Sequence, residues 1–232
     1  MNESVDALQM ALGLMLAADP DLVEIVLLSL RVSLSAVLLA AVLAFPLGAL
    51  LALTRFPGHQ LLIVLLNAMM SLPPVVVGLI IYLLLSHSGP LGVLGLLFTP
   101  TAMIIAQCVL VLPIVAALTR QTIAELNEEY DQYLRSINCT RWQKIMTLLW
   151  DGRTRLLTAL LAGFGRAIAE VGAVMIVGGN ILHSTRVMTT TIALEISKGN
   201  LALALALGLI LVLLAVVVNG SLFFISARAE RG

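Results

Sequence analysis

The chain has 232 residues, 60% hydrophobic and 11% charged, with 13 Lys and Arg balanced by 13 Asp and Glu. Soluble domains run at roughly 45–50% apolar and 25% charged residues, so this composition excludes a single water-soluble core. Neutral overall charge, with no basic block and no basic-aromatic interleaving, leaves no footing for a nucleic-acid partner.

The first 30 residues contain no Lys or Arg, which argues against a signal peptide. Residues 1–24 form an acidic segment carrying Glu3, Asp6, Asp19, Asp21 and Glu24. The apolar stretch 7–17 within it falls short of the roughly 20 residues that cross a bilayer. It reads as an interfacial or loosely packed helix, with a sixth spanning helix as the alternative. A membrane domain follows over 25–226, with five spans expected at about 30–54, 61–86, 95–119, 155–178 and 201–225, then a tail, 227–232. Aromatic residues are few and the apolar runs show no two-residue alternation, so the fold class is all-α and polytopic rather than a barrel.

Cations fix the expected orientation, because cytoplasmic loops retain Lys and Arg during insertion. With the N-terminus outside and the C-terminus inside, the inner loops and tail hold Arg55, Arg120, Arg135, Arg141, Lys144, Arg153, Arg155, Arg228 and Arg231. The outer loops hold only Arg186 and Lys198, and Arg31 and Arg166 lie in or near spans. An even number of spans would place one end of this pattern on the wrong side.

Pro73 and Pro74 interrupt the second run, where each ring removes a backbone donor and clashes with the preceding turn. A kink or break between Leu72 and Val75 is expected, either purely structural or beside a pathway, since freed carbonyls cannot face lipid. Pro46 and Pro113 carry weaker versions of this signal, and Pro100 marks the start of the third span.

The polar segment of about 120–155 reads as a helix, a turn and a second helix. Ile123, Leu126, Tyr130, Leu134 and Ile137 draw one apolar stripe at helical spacing. Asn138 is suited to the left-handed conformation that ends a helix, and Thr140 with Gln143 fits a capping box that starts the next. Ile145, Met146, Leu148 and Leu149 then share one side.

In the fourth span Arg166 and Glu170 stand at i and i+4. A charge at the bilayer centre costs on the order of 2.5–3.5 kcal/mol, so both should face the bundle or an aqueous route and pair with each other. They act either as a structural pair or as an anion-attracting Arg166 tempered by Glu170. Gly178, Gly179 and Asn180 end this helix, and Thr185 and Arg186 beyond it are donors to an anion or ordinary solvated loop residues. Cys108 and Cys139 are not expected to meet, His59, His87 and His183 show no metal-ligand spacing, and no phosphate-cradling Gly-rich loop ending in Lys-Ser/Thr is present.

The 120–155 segment resembles the cytoplasmic loop of permeases from bacterial and archaeal ATP-binding-cassette importers, which carries a Glu-Ala-Ala…Gly signature. Aligned on Arg141-Trp142, Gln132, Tyr133 and Leu134 take the Glu-Ala-Ala positions and Asn138 the Gly, while Asp151 stands where the family often has Pro. The run from Gly165 to Ala173, then Gly179-Asn180-Ile181 and Thr185-Arg186, resembles the molybdate, sulfate and tungstate group, and most of all tungstate permeases. The resemblance implies a type I importer permease fold and a homodimer in the prokaryotic inner membrane. It implies an ATPase dimer docked on Gln132, Tyr133, Leu134, Asn138, Arg141 and Trp142, with ATP used there and no cofactor in this chain. It further implies an external oxyanion-binding protein, and the helix breaks, intramembrane charges and loop donors make Pro73, Pro74, Arg166, Glu170, Asn180 and Arg186 the candidates for the translocation pathway. A secondary anion transporter, for which inverted repeats are the expected mark, and a non-transporting scaffold are the competing classes.

Overall fold

The computed structural model describes residues 2–17 and 19–229; Met1, Ala18 and residues 230–232 lie outside it, Arg231 among them. The side chains of residues 2–5, 219 and 222–229, including Glu3 and Arg228, also lie outside the description. All regular structure among the described residues is helical: α1 (Asn2–Leu16), α2 (Pro20–Leu53), α3 (His59–Met70), α4 (Pro74–Leu85), α5 (Pro100–Ser136), α6 (Arg141–Asp151), α7 (Arg153–Ile168), α8 (Gly172–Gly178), α9 (Met188–Lys198) and α10 (Leu201–Ala229).

Three of these helices, α2, α5 and α10, are long and apolar enough to cross a membrane outright. The bent pairs α3 with α4 and α7 with α8 bring the number to five when each pair counts as one span. The pair α1 and α10 pack together, and α1 is too short to cross on its own, about 22 Å at 1.5 Å per residue.

α2 and α5 form the axis of the bundle and pack along one another. Small residues allow this: Ala36, Ala40, Ala44, Gly48 and Ala49 on α2 are buried, and a Cβ on Gly48 would stand 2.6 Å from the Ala116 carbonyl oxygen. Asp19 caps α2, its Oδ1 accepting from the amides of Asp21 and Leu22, so this helix starts about ten residues earlier than its apolar run. Asp21 and Glu24 therefore sit on its first turns rather than in a separate segment. Pro46 and Pro113 lie inside helices that continue through them.

At Pro73-Pro74 the chain does more than kink. α3 and α4 meet at 102°, and each arm of 12 residues is only about 18 Å long. The cause is the doubled proline: α4 starts on Pro74, where a missing amide costs nothing, and the Pro73 carbonyl accepts from Val76 and Val77. Pro100 likewise starts α5, behind the Thr99 cap.

Candidate functional site

The fourth run also breaks, which its sequence did not announce. α7 ends at Ile168 and α8 leaves at 62°. No proline is involved; side chains take over the hydrogen bonds that a continuous helix would make for itself. Gln107 of α5 donates its Nε2–H to the Ala167 carbonyl at 3.0 Å, and Thr189 of α9 donates its hydroxyl to the Glu170 carbonyl at 2.7 Å. Glu170 itself accepts from the Ala173 amide through Oε1 at 3.1 Å, and from Arg166 Nη1 through Oε2 at 3.0 Å. Both carboxylate oxygens are thus committed, and Glu170 is only 4% exposed. Arg166 spends one nitrogen on the pair and keeps 37% of its side chain accessible.

The two breaks meet. α4 packs against α8, and a Cβ on Gly78 would stand 2.7 Å from the Ala173 Cα, so only a glycine permits this approach. One turn back, the hydrogen face of Gly172 receives Val75, the residue after Pro74. Pro73 and Pro74 are thereby brought beside the Arg166–Glu170 break, a junction of discontinuous helices surrounded by apolar residues.

Asn180 and Arg186 belong to a second feature, the turn between α8 and α9. Gly179 (φ 70°) and Asn180 (φ 51°) both adopt the left-handed conformation there. Asn180 accepts from the Thr190 hydroxyl at 2.9 Å, and its carbonyl accepts from Arg186 Nη2 at 3.4 Å. Thr185 is neither a free donor nor solvated: it is buried, donating to the Gly178 carbonyl and accepting from the Ile181 amide. Consecutive threonines therefore join the two features, Thr189 holding the Glu170 break and Thr190 the Asn180 turn. The turn is clipped to α2 by Ser29, whose hydroxyl accepts from the Met188 amide at 2.8 Å, and by His183, whose Nδ1 lies 2.8 Å from Glu24 Oε2.

That last contact brings together residues 159 positions apart, so no local spacing foretold it. Asp21, Glu24 and His183 each bring one ligand-type atom within 4.8 Å of the others, but they are exposed and Arg186 shares their pocket, opposing a cation. The hydrogen bond to Glu24 raises the His183 pKa above its ordinary 6.5, aided by the charges of Glu24 and Asp21 and opposed by partial desolvation and Arg186. The contact therefore strengthens the turn fully below about pH 6.5 and loses that contribution as pH rises through the raised folded value. Protection factors of residues 181–187, which remove the intrinsic pH dependence of amide exchange, should fall across that upward step, and His183→Gln should flatten their profile; an unchanged profile would remove His183 from the turn's stability.

At the opposite end of α2 the polar segment forms a hairpin. α5 runs unbroken to Ser136, so its first helix is the extension of the third span and not a separate element. Asn138 turns the chain at φ 51°, and Thr140 and Gln143 form the capping box: Gln143 Oε1 accepts from the Thr140 amide, and Thr140 Oγ1 from the Gln143 amide. Ile123, Leu126, Leu134, Ile145 and Leu148 make a small core with Ala49 of α2. Ile137 and Met146, placed on the apolar faces by spacing, are exposed instead, because Ile137 is the helix cap and α6 turns Met146 away. Asp131 staples the two arms, accepting from Lys144 at 3.0 Å and Arg135 at 2.8 Å. The Lys144 hydrogen bond, aided by the charges of Lys144 and Arg135, holds its carboxyl below the usual range against the opposing effect of desolvation.

Of the six hairpin residues picked out by sequence, Leu134 is buried in this core, whereas Gln132, Tyr133, Asn138, Arg141 and Trp142 are exposed. Tyr133 and Trp142 are each 64% exposed, and Trp150 is exposed beside them in sequence order, with Arg153 stacked on its ring at 5.1 Å. Three aromatic side chains, Tyr133, Trp142 and Trp150, are thus left open at this end of the bundle. Sequence reasoning passed over Gln107 and gave Thr189 and Thr190 no role of their own; the available signal was a lone amide inside an apolar run and three successive threonines.

The described residues form an all-helical bundle with up to five candidate membrane spans, two broken helices that meet inside it and an aromatic hairpin at one end. Residues 44–231 match the family described as binding-protein-dependent transport system inner membrane component, and the chain belongs to it as a permease subunit of an ABC transporter. It is 38% identical to the tungstate uptake system permease protein TupB of Peptoclostridium acidaminophilum, covering 96% of this chain and 98% of that protein. It is 40% identical to a probable anion ABC transporter permease protein of Haloferax volcanii over 78% and 80% of the two chains. Similarity to the sulfate transport system permease protein CysW of Escherichia coli is lower, 30% over 72% and 60%.

Proposed function

We infer that this permease carries tungstate inward, receiving it from an external binding protein and driven by a separate ATPase dimer. The observation that supports this cargo is full-length similarity to two tungstate permeases, 38% and 37% identical over 96% and 97% of this chain, against 30% over a shorter stretch for sulfate permeases. Tungstate, molybdate and sulfate are all tetrahedral dianions with similar donor demands, and the binding protein makes the final choice among them.

The hairpin lies inside the cell and the α8–α9 turn outside. Cations support this assignment: Arg55, Arg120, Arg135, Arg141, Lys144, Arg153 and Arg155 gather at the hairpin end of α2, while Asp21 and Glu24 sit at the other. Two copies of the chain surround the pathway, and the exposed apolar residues of α3, Leu61, Val64 and Leu65, suit burial against a second copy or lipid. The ATPase docks on Gln132, Tyr133, Arg141 and Trp142, with Asn138 and Leu134 shaping the hairpin that presents them.

Coupling follows from the continuity of α5. A 37-residue helix about 55 Å long joins the hairpin directly to Gln107, which grips the Ala167 carbonyl at the helix break. Displacement of the hairpin therefore reaches the Arg166–Glu170 junction without passing through a loop, and α8 hands it to α4 beyond Pro74. Glu170, with both oxygens occupied, positions the break; Arg166, with donors to spare, faces the anion's route. Attraction by one half-exposed guanidinium is strong enough to admit a dianion and weak enough to release it. Asn180 and Arg186 hold the outer turn that borders the entrance.

Expression of this chain with its ATPase and binding-protein partners in a bacterium lacking high-affinity tungstate uptake tests the cargo. Cellular tungsten, read by mass spectrometry at nanomolar supply, should rise with all three proteins and stay at background without this chain. Restored sulfate assimilation with no tungsten accumulation would overturn the assignment.

A further inference from the structure

A cavity of about 590 Å3 opens where the C-terminal end of α2, the N-terminal end of α3 and the middle of α5 come together. Its polar lining is Arg55, Arg120, His59 and Gln60, and its apolar wall includes Leu51, Phe56 and Ile63. No carboxylate lines it. Neither the Arg55 nor the Arg120 side chain makes an ion pair or hydrogen bond among the described residues, and Arg120 Nε is closed off from solvent with no partner. Leaving a guanidinium donor buried and unsatisfied is costly, and nearby cations avoid it. Lys144 and Arg135 bind Asp131, Arg155 binds Glu125, and Arg153 donates to the Trp150 carbonyl.

The backbone adds to the same field. α3 begins behind Gly58, which has no side chain to cap it, so the positive end of the helix opens toward the cavity through His59 and Gln60. His59 fixes this start in place, its Nε2–H donating to the Leu51 carbonyl at 2.7 Å and its ring edge-on to Phe56 at 5.5 Å. Two arginines, a helix start and apolar residues thus line one cavity.

We propose that this cavity binds a tetrahedral oxyanion group through Arg55, Arg120 and the first turn of α3, presented either by a free dianion or by the phosphate of an anionic lipid. Guanidinium forks match such groups with paired donors. Basic pockets between helices on the cytoplasmic side are suited to lipid phosphate, and the apolar wall has room for the start of an acyl chain. The site is separate from the Arg166–Glu170 junction and requires no transport for its detection. Its occupancy bears on coupling, because Ala52 both lines the cavity and packs against the hairpin core of Ile123, Leu126 and Leu148.

The full chain in nanodiscs tests this by arginine modification with phenylglyoxal, read residue by residue by mass spectrometry. In discs of phosphatidylcholine alone, inorganic phosphate or tungstate should slow modification of Arg55 and Arg120 if the free anion is the ligand. Phosphatidylglycerol in the disc should slow it with no added anion if the lipid is. Exposed Arg141 serves as the internal control, unaffected in either arm. Arg55→Gln with Arg120→Gln should weaken binding of the protecting ligand about tenfold or more, with Arg155→Gln unchanged. Protection of Arg55 and Arg120 by neither ligand, or equal binding by the double variant, overturns the site; should the double variant not fold, wild-type protection alone decides.

Discussion

Glu170→Gln is expected to lower the stability of the purified permease by about 2 kcal/mol and to cut uptake roughly tenfold or more. Glutamine keeps the volume and still accepts the Ala173 amide, so the start of α8 survives. What it removes is the counter-charge of Arg166, whose guanidinium is then left at the break with the Ala167 and Glu170 carbonyls already taken by Gln107 and Thr189. The figure sits below the 3–5 kcal/mol typical of a fully buried pair because Arg166 is 37% exposed and solvent offsets part of the loss. The double change Glu170→Gln with Arg166→Met separates the two roles of the pair. Melting temperature should recover, since no unpaired charge remains, while uptake should stay low for want of an anion-attracting group. Normal uptake by the double variant would confine the pair to architecture.

The second large effect is expected at the hairpin. Arg141→Ala with Trp142→Ala removes two exposed side chains, so the unfolding free energy should change by less than about 0.5 kcal/mol per substitution. Affinity for the ATPase should nonetheless fall by about 2 kcal/mol or more, roughly thirtyfold, because a docked Trp or Arg commonly carries a disproportionate share of an interface. The ATPase would continue hydrolysing ATP at its basal rate with transport lost. Co-purification at the wild-type level would mean the contact lies elsewhere on the hairpin, with Tyr133 and Trp150 the next residues to change.

Much of this was legible in the sequence where the physics is local. Composition and run length gave an all-helical membrane protein, the Thr140–Gln143 capping box and the Asn138 turn were readable from residue type alone, and Arg166 and Glu170 pair as their spacing suggested. Proline signalled that α3 and α4 part, though not by 102°, since the angle is set by what α4 packs against. The α7–α8 break was invisible because its causes are distant: Gln107 lies 60 positions and Thr189 19 positions from the carbonyls they capture. The His183–Glu24 contact was hidden for the same reason. Ile137 misled because stripe periodicity ignores where a helix ends.

The central claim, that this chain is the membrane half of an ATP-driven tungstate importer worked through the hairpin, is tested most directly by reconstitution. Proteoliposomes containing the permease should accumulate tungstate only when the ATPase, internal ATP and the external binding protein are all present. Uptake by the permease alone, driven by an imposed ion gradient, would contradict it.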